Sequence, residues 1–304
     1  MVRGLLVASG LALALSASVP VVAAPSRAPE TTQASFEASL HPQSGDISVS
    51  DARAVLHLGK DYYFLPADDA KRVLTQVWGN PPDSVSDVLG LILPAGKTAF
   101  DNVWGAVVTF EDTGHVSDAD AGSQDYAAVL KNAQDGAEAS NAARREAGYP
   151  AVHLVGWAQP PSYDGTHHAL IWARNLAFDG GKVNSLNYDV RTLGRTGALS
   201  LNMVSDMNSL PKVRTAAKTL SERVAFVPGA TYADYDASID KTAEYGLAGL
   251  VAAGVGAAAV KKLGLLAIIL AFGKKFFVLV IAAVAAGGRY LFGRIGKPKD
   301  PDLI

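Results

Sequence analysis

The sequence predicts an α+β protein, with an antiparallel sheet and flanking helices in an exported domain and a transmembrane helical region at the C-terminus. Three observations support this fold class. Strands with alternating apolar residues follow one another between short turns over residues 151–203, which is typical of antiparallel pairing. Segments whose apolar residues recur at helical spacing lie before and after that run of strands, and none lies between its strands. Residues 245–295 are apolar on every helical face, as in a segment surrounded by lipid.

The run of strands is predicted to be a four-stranded meander. Its first strand is Ala151–Ala158, and the turns further along are Asp179-Gly180-Gly181 and Leu193–Gly197. The alternating apolar residues of the other three strands are Leu170, Trp172, Leu176 and Phe178, then Leu186, Tyr188 and Val190, then Leu199, Leu201 and Met203.

Other elements are predicted on both sides of the meander from periodicity and from residues that begin or end helices. They are a hairpin of Ala54–Leu58 and Tyr62–Leu65, a helix capped by Asp68, strands Val88–Leu93 and Trp104–Phe110, a helix over residues 124–147, and a helix that starts at Ser209 and carries Val213 to Val224 inward.

The N-terminus has the pattern of a secretory signal peptide over residues 1–24. Arg3 precedes an apolar run, Leu5–Leu15, and small residues lead to a cleavage point near Ala24. An uncleaved N-terminal anchor is the alternative, and the short apolar run argues against it. Residues 25–48 are rich in Ser, Thr, Ala, Pro and Gln, so we expect a flexible leader before an exported domain over residues 49–244.

Residues 245–295 are the predicted membrane-anchoring region. No acidic residue lies between Glu244 and Asp300, and lysine pairs alone interrupt the first apolar blocks. We place one span at Phe276–Phe292, with Gly246–Gly273 packed beside it or lying in the interface. The basic tail, residues 296–304, would then be cytoplasmic and the domain would face the periplasm or the cell surface. A hairpin of two spans is the alternative.

Composition excludes several kinds of site. The chain has no cysteine, which excludes disulfides, lipoprotein acylation and thiolate metal sites. The net charge of −2, with no basic cluster in the exported part, argues against a general nucleic-acid binder. Neither a P-loop nor a dinucleotide fingerprint is present, and we predict no cofactor.

The densest unusual cluster contains Trp157, Pro160, Pro161, Tyr163 and Asp164. Aromatic rings beside rigid prolines could line a groove for a glycan or a peptide. They could equally fill the core, with the prolines ending a strand and Asp164 forming a turn. The predicted binding surface also includes Trp172, Arg191 and Arg195. The two arginines flank a turn and could bind an anion or pair with nearby aspartates.

Three further patterns do not support a catalytic or metal site. His167 and His168 are adjacent, so their side chains are expected to point apart rather than bind one metal with Asp164. Ser162 lacks the glycines of a nucleophile elbow. The acidic stretch 118–129 resembles a calcium loop but has Gly122 and Val129 where ligands are needed, so we interpret it as a solvated acidic loop before a helix.

The stretch GWAQPPSYDGTHHALIWARNLAF, Gly156–Phe178, resembles a family of bacterial membrane-anchored proteins, the domain of unknown function 2167 family. The resemblance includes Val77–Pro82 and Gly114–Ala121 upstream, and it continues through Leu193–Asn202 and the stretch from Tyr232 to Gly246. It covers the chain from about Val49 to Phe292 in one order. It implies a topology consistent with the one derived above, and it implies no activity.

The sequence therefore favours a membrane-anchored bacterial envelope protein with a non-catalytic binding or scaffold domain. Its partner would be an envelope protein or a second copy of the chain. The alternative is an envelope hydrolase that uses carboxylate and histidine groups near Asp164, which would require at least two such groups to converge in one cleft. A third hypothesis makes Gly246–Gly273 a segment that senses the bilayer.

Overall fold

The computed structural model describes residues 33–253, which belong to two units. The described part of the first unit, residues 1–39, contains one short helix, α1 (Gln33–Ala38). The side-chain amide of Gln33 donates to Glu37 Oε1 at 2.9 Å, one turn along the helix. Ser39 Oγ donates to the carbonyl oxygen of Phe36 at 2.7 Å and closes the last turn.

The second unit, residues 40–304, contains two antiparallel sheets and four further helices in its described part. Its strands are β1 (Asp46–Val49), β2 (Ala54–His57), β3 (Tyr62–Pro66), β4 (Val88–Pro94), β5 (Gly105–Glu111), β6 (Val152–Asp164), β7 (Ala169–Phe178), β8 (Ser185–Leu193), β9 (Ala198–Asp206) and β10 (Val224–Phe226). Its helices are α2 (Ala67–Arg72), α3 (Tyr126–Glu146), α4 (Leu210–Ser221) and α5 (Leu247–Ala253).

The larger sheet has the strand order β3-β4-β5-β9-β8-β7-β6, and the smaller has the order β1-β2-β10. Strands β6 to β9 are neighbours in chain order, which confirms the predicted meander and the α+β class. Trp172 lies opposite Asp189, and Asp189 lies opposite Asn202, so these residues share one face of the sheet.

One face of the large sheet is packed by α4 and by the small sheet, and we call it the α4 face. Its buried residues alternate along the strands and include Val108, Val190, Leu201 and Met203, each at most 1% exposed. They join one core with the inward residues of α4 and of β1 and β2. Helix α4 begins with Pro211 in its first turn, as the sequence predicts, and buries Val213, Ala216, Ala217 and Leu220.

The opposite face is packed by α3 and α5, and we call it the α3 face. Val129 of α3 and Leu247, Leu250 and Val251 of α5 form a second core with Trp172 and its neighbours. Helix α3 begins two residues after its predicted start, and the Asp125 carboxylate caps it by accepting hydrogen bonds from the backbone N–H groups of Ala127 and Ala128 at 3.1 and 3.0 Å. The domain core therefore extends past the predicted domain end at residue 244.

The predicted hairpin of Ala54–Leu58 with Tyr62–Leu65 is wrong. β2 pairs with β1 on one side and β10 on the other, so both of its edges are occupied. β3 pairs with β4 in the other sheet instead. The fold also starts earlier than expected, because β1 lies within the stretch predicted to be a flexible leader and buries Ile47.

Two local predictions also need correction. Helix α2 starts directly after strand β3 at Ala67, so Asp68 lies in its first turn and does not cap it. Val224 lies in β10 rather than on the helix before it.

Pro160 and Pro161 do not end their strand, which runs on to Asp164. β6 is an edge strand with irregular register around these prolines. Both prolines lie in the gap of the register between Gln159 and Ser162, where neither pairs with a residue of β7, so their missing N–H groups remove no ladder bond.

No helix among residues 33–253 is both long and apolar enough to cross a membrane. The predicted span at 276–292 and the predicted signal peptide at 1–24 lie outside the described residues.

Candidate functional site

The turn between β6 and β7 presents two histidines in opposite directions. His167 Nδ1 lies 2.7 Å from an Asp164 carboxylate oxygen, and the same carboxylate accepts the backbone N–H of Thr166 at 2.9 Å. His168 has a left-handed backbone, with φ at 47°. Residues with side chains adopt this conformation uncommonly, although histidine does so more often than most, and it costs on the order of 1 kcal/mol.

His168 belongs to a hydrogen-bonded cluster with Tyr163 and Asp118. Tyr163 Oη lies 2.6 Å from Asp118 Oδ2 and 3.0 Å from His168 Nδ1. The hydroxyl has one proton, which the ionised carboxylate accepts, so the imidazole must donate from Nδ1. This assigns the Nδ1–H tautomer to neutral His168 and leaves Nε2 as an acceptor. No described residue hydrogen-bonds to Nε2.

Four rings stack behind this cluster, in the order Tyr235, His115, Tyr232 and His168. The successive ring centroids are 3.8, 4.4 and 4.2 Å apart. Tyr232 Oη donates to the carbonyl oxygen of Val116 and accepts the backbone N–H of Asp118, both at 3.1 Å. The column therefore fixes both His168 and the segment that carries Asp118.

Backbone pairing with residues 241–243 positions the segment that carries His115. The N–H of His115 donates to the carbonyl oxygen of Lys241, and His115 accepts from the N–H of Ala243, both at 2.8 Å. Gly114 has φ at 97°, and a Cβ there would lie 2.6 Å from the Lys241 oxygen. Glycine is therefore required for this close approach.

Burial and hydrogen bonding set the charges of the cluster. Burial, with the neighbouring Asp118 carboxylate, raises the pKa of Tyr163 well above its ordinary value and that of Tyr232 to about 12. Burial alone would raise the pKa of Asp118, but the hydrogen bond that Tyr163 donates to its carboxylate helps to outweigh burial, and the pKa is lowered. Burial lowers the pKa of His115.

At neutral pH the cluster thus contains an ionised Asp118 between neutral tyrosines. The side chains of Asp118 and His168 are 32% and 35% exposed. They offer acceptor atoms to a ligand that carries hydrogen-bond donors.

The other residues of the predicted binding surface make no hydrogen bond to Tyr163, His168 or Asp118 within the described part of the chain. Trp157 donates from Nε1 to the carbonyl oxygen of Tyr126 at 3.3 Å and is half-buried against α3. Pro160 is exposed and Pro161 is buried. Asp164 is adjacent to Tyr163 in sequence, but its carboxylate is bound to the turn.

Arg191 and Arg195 pair with carboxylates of this chain. The sequence left open whether they would do so or would bind an anion. Arg195 makes a bidentate pair with Asp240, at 2.8 and 3.1 Å, and donates to the Gly229 carbonyl oxygen at 3.3 Å. Arg191 forms an ion pair with Glu111. Its guanidinium carbon lies 5.2 Å from the ring centroid of Trp172, which is fully buried.

Sequence reasoning missed Asp118 as a site residue, together with His115, Tyr232 and Tyr235. Asp118 is 45 residues from Tyr163 and 114 from Tyr232. No spacing rule connects residues so far apart, because tertiary packing alone brings them together. The only sequence signal was their presence in the stretches used for the family resemblance.

The residues considered for catalysis and for calcium do not converge. Ser162 is exposed, Asp164 contacts His167, and His168 contacts Tyr163. In the acidic stretch, Asp120 accepts from the side-chain amide of Gln124 at 2.6 Å. Within residues 33–253, no group of three potential ligands is placed to hold a metal ion.

Comparison with known proteins places the chain in a family. No curated protein matches it. The solution structure of cyanobacterial PsbP (CyanoP) from Synechocystis sp. PCC 6803 is similar with a TM-score of 0.34 and 9% identity, over 62% of this chain and 93% of that chain. A likeness at this level carries no argument about function. The model of the family described as "Protein of unknown function (DUF2167)" matches residues 41–285, which include the whole cluster. The match covers most of the chain, which therefore belongs to the DUF2167 family.

Proposed function

We propose that this chain is a membrane-anchored protein of the bacterial envelope whose exported domain binds a partner and catalyses no reaction. The observation that carries the binding role is the way His168 is held. Its ring is fixed by stacking on Tyr232 and by the bond from Nδ1 to Tyr163. Its Nε2 has no partner among the described residues, and its side chain is half-buried at the surface.

A strained backbone at a partly exposed side chain supports contact with a ligand rather than a structural role. Asparagine or glycine would adopt φ near 47° at lower cost, and neither would supply the imidazole. Asp118, beside it, adds a negative charge. A partner that presents an N–H group or a cation would meet two acceptors held in fixed positions.

The hydrolase alternative loses one pair that it could have used. Asp164 and His168 do not converge, because these side chains contact different partners. Tyr163 does not supply a second acid or base, because its pKa is raised and its proton is bound to Asp118. A binding role requires only the acceptors that this cluster offers.

The junction between the domain and the apolar C-terminal stretch supports membrane anchoring. Leu247, Leu250 and Val251 of α5 are fully buried in the domain core. The backbone N–H of Leu247 is also bonded to an Asp120 carboxylate oxygen at 3.3 Å. The apolar sequence that begins after residue 253 therefore follows a helix packed in the domain core, without a polar linker.

The binding role is tested with two neighbouring substitutions in the full chain. His168→Asn removes the imidazole and tolerates the left-handed backbone, and His167→Asn is the matched control. After cross-linking in native membranes, we expect recovery of the specific partner to fall about tenfold for His168→Asn alone, at an unchanged melting temperature. Equal recovery with both variants would contradict the proposal. Hydrolysis of envelope polymers that is lost with His168→Asn would favour the enzyme.

Anchoring is tested by extracting membranes at alkaline pH. The full chain should stay in the pellet, and a chain ending at Gly273, which lacks the predicted span, should be released. Release of both forms would contradict anchoring through residues 276–292.

A further inference from the structure

The negative charge of the domain is concentrated around the His168 cluster. The segments that meet there are 112–125, 163–168, 193–197 and 229–246, and we call them together the acidic end. They contain nine acidic residues and two basic ones. The rest of residues 33–253 contains seventeen acidic and fifteen basic residues, so its charges nearly balance.

Hydrogen bonds show that the four segments of the acidic end lie together. The bond between Tyr163 and Asp118 joins the second segment to the first. The backbone N–H of Arg195 donates to the carbonyl oxygen of Ala230 at 2.9 Å and joins the third segment to the last. The backbone pairing of His115 joins the first segment to the last. The carboxylates of these segments therefore share one end of the domain.

Little positive charge within the acidic end offsets these carboxylates. Arg195 is paired with Asp240, which leaves Lys241 as the one basic residue of these segments without an ion pair to another described residue. His115 adds no charge at neutral pH, because burial lowers its pKa. With its histidines neutral, the acidic end carries a net charge of −7. A partner that complements it carries positive charge.

The atoms without partners at the acidic end fit a ligand that donates hydrogen bonds. Nε2 of His168 is an acceptor to which no described residue donates, and Asp118 presents a partly exposed carboxylate beside it. Nδ1 of His115 also lacks a partner within residues 33–253, in a residue that is only 7% exposed. A cationic ligand with several N–H groups would match both the surface acceptors and the charge.

Three other occupants fit this surface less well. An anionic lipid surface would be repelled by the charge of the acidic end, and a second copy of the domain presents the same acidic end. A metal ion needs ligands that converge, and within residues 33–253 no group of three is placed to hold one.

We propose that the acidic end binds a basic segment of a partner protein, and that an arginine of this segment bonds to Asp118 and His168. A guanidinium carries five N–H donors in one plane, so it can bond to a carboxylate and to a ring nitrogen together. Further basic residues beside the arginine would meet the remaining carboxylates. The inference rests on the binding role proposed above and names the chemistry of the partner at that same site.

The direct test is titration of the full chain, in detergent micelles, with a labelled synthetic peptide of sequence Ala-Lys-Gly-Arg-Gly-Lys-Ala. Binding is followed by fluorescence anisotropy. Replacing the arginine by citrulline, which keeps its shape but has no charge, should weaken binding about tenfold. Raising the salt concentration from about 50 to about 500 mM should also weaken it. Equal affinity for the arginine and citrulline peptides would overturn the proposal.

Protein variants locate the binding. Asp118→Asn should weaken it about tenfold. The double variant Asp112→Asn/Glu244→Gln removes two exposed charges of the acidic end and should weaken it about threefold. Asp83→Asn/Glu146→Gln removes two exposed charges elsewhere and should leave the affinity unchanged.

Two results with these variants would overturn the proposal. Equal losses with the two double variants would mean that the peptide is attracted to the acidic protein as a whole. Calcium that binds alone and is lost with Asp118→Asn would assign the surface to a metal ion. Circular dichroism checks the fold of each variant.

His168→Asn separates this inference from the proposed function. It should weaken binding of the arginine peptide about tenfold, as well as recovery of the partner from native membranes. If it lowers partner recovery and the arginine peptide does not bind, only the basic-segment inference fails. If the peptide binds and His168→Asn leaves partner recovery unchanged, the proposed function fails.

Discussion

The two faces of the large sheet are both buried, but different forces hold them. On the α4 face, alternate residues of β5, β8 and β9 are aliphatic and pack against α4 and the small sheet. On the α3 face, Asp189 and Arg191 occupy the intervening positions of β8 and are 2% and 5% exposed. One face is packed by apolar contacts, and the other combines an apolar core with buried pairs of charges.

The charged pairs extend across three strands of the α3 face. Asp189 accepts from Arg174 at 3.0 Å and from the Asn202 amide at 2.9 Å. Arg191 pairs with Glu111 and lies over Trp172. Its Nε, and Nε1 of Trp172, have no hydrogen-bond partner among the described residues. Removing one member of a buried charge pair lowers the free energy of unfolding more than removing both members. Single and double substitutions can therefore distinguish this face from the α4 face.

The largest effect is expected for Glu111→Leu on the α3 face. It leaves the buried Arg191 guanidinium without its counter-charge, which should lower the free energy of unfolding by about 3–5 kcal/mol. The double variant Glu111→Leu/Arg191→Met removes both charges and should be clearly more stable than Glu111→Leu alone. Urea denaturation measures both, and a double variant less stable than the single one would contradict the charge-pair account.

On the α4 face, Leu201→Ala should lower the free energy of unfolding by about 2–5 kcal/mol. Leu201 is 1% exposed and lies opposite Val108 and Val190, so the lost methyl groups leave a cavity. Leu201→Met keeps the side-chain volume and should lower the free energy of unfolding by less than about 1.5 kcal/mol. The same denaturation experiment checks both, and similar losses for alanine and methionine would show that volume is not what this face requires.

A smaller effect is expected where α3 covers the outer edge of β6. The side-chain amide of Asn141 accepts the backbone N–H of Val152 at 2.8 Å and donates to its carbonyl oxygen at 2.9 Å, as a neighbouring strand would. Asn141→Ala leaves the N–H and the carbonyl of Val152 without these bonds. It should lower the free energy of unfolding by about 1–3 kcal/mol. Faster hydrogen exchange at the Val152 amide would confirm the cause. The exposed Ser140→Ala, one residue away, should change neither quantity.

The comparison of faces also explains how far the sequence could predict the fold. The meander was predicted because the residues of the α4 face are apolar at every second position of β8 and β9. The same alternation assigns Asp189 and Arg191 to solvent, and only their partners on other strands explain why they are buried. The wrong hairpin has a similar origin, since β10, which occupies one edge of β2, follows more than 160 residues later.

The candidate site was predictable only in part. Tyr163 was identified because it lies in a local cluster of unusual residues. Asp118 was interpreted as part of a solvated acidic loop, and the structure shows its carboxylate bonded to Tyr163. The left-handed backbone of His168 was not predicted, because histidine adopts that conformation more often than most residues with side chains but still in a small minority of cases.

The smallest expected effect is a dependence of stability on pH. It arises from His153, whose ring contacts a carboxylate of α3 and a carboxylate in the turn after β7. His153 Nδ1 lies 2.6 Å from Glu138 of α3, and Nε2 lies 3.1 Å from Asp179 in the turn after β7. Both nitrogens face carboxylates, so the ring must carry both protons to bond to each. Arg145 is the other charged group in contact, at 3.4 Å from Asp179.

These contacts set the sign of the pH dependence. Hydrogen bonds to Glu138 and Asp179 raise the pKa of His153 above its ordinary value of 6.5, and the bond to His153 lowers the pKa of both carboxylates. A raised histidine pKa stabilises the fold fully below pH 6.5 and loses that contribution as pH rises through the folded-state pKa. Glu138 and Asp179 lose their contribution to stability as pH falls below their ordinary pKa values of 4.5 and 3.8.

The melting temperature of the wild type should therefore exceed that of His153→Gln near pH 5.5, and the difference should shrink toward pH 9. Glu138→Gln, which keeps the histidine but removes one carboxylate, should show a weaker dependence of the same sign. A difference that grew with pH would mean that His153 is neutral in the folded protein and that apolar packing, rather than this charge, holds α3 in place.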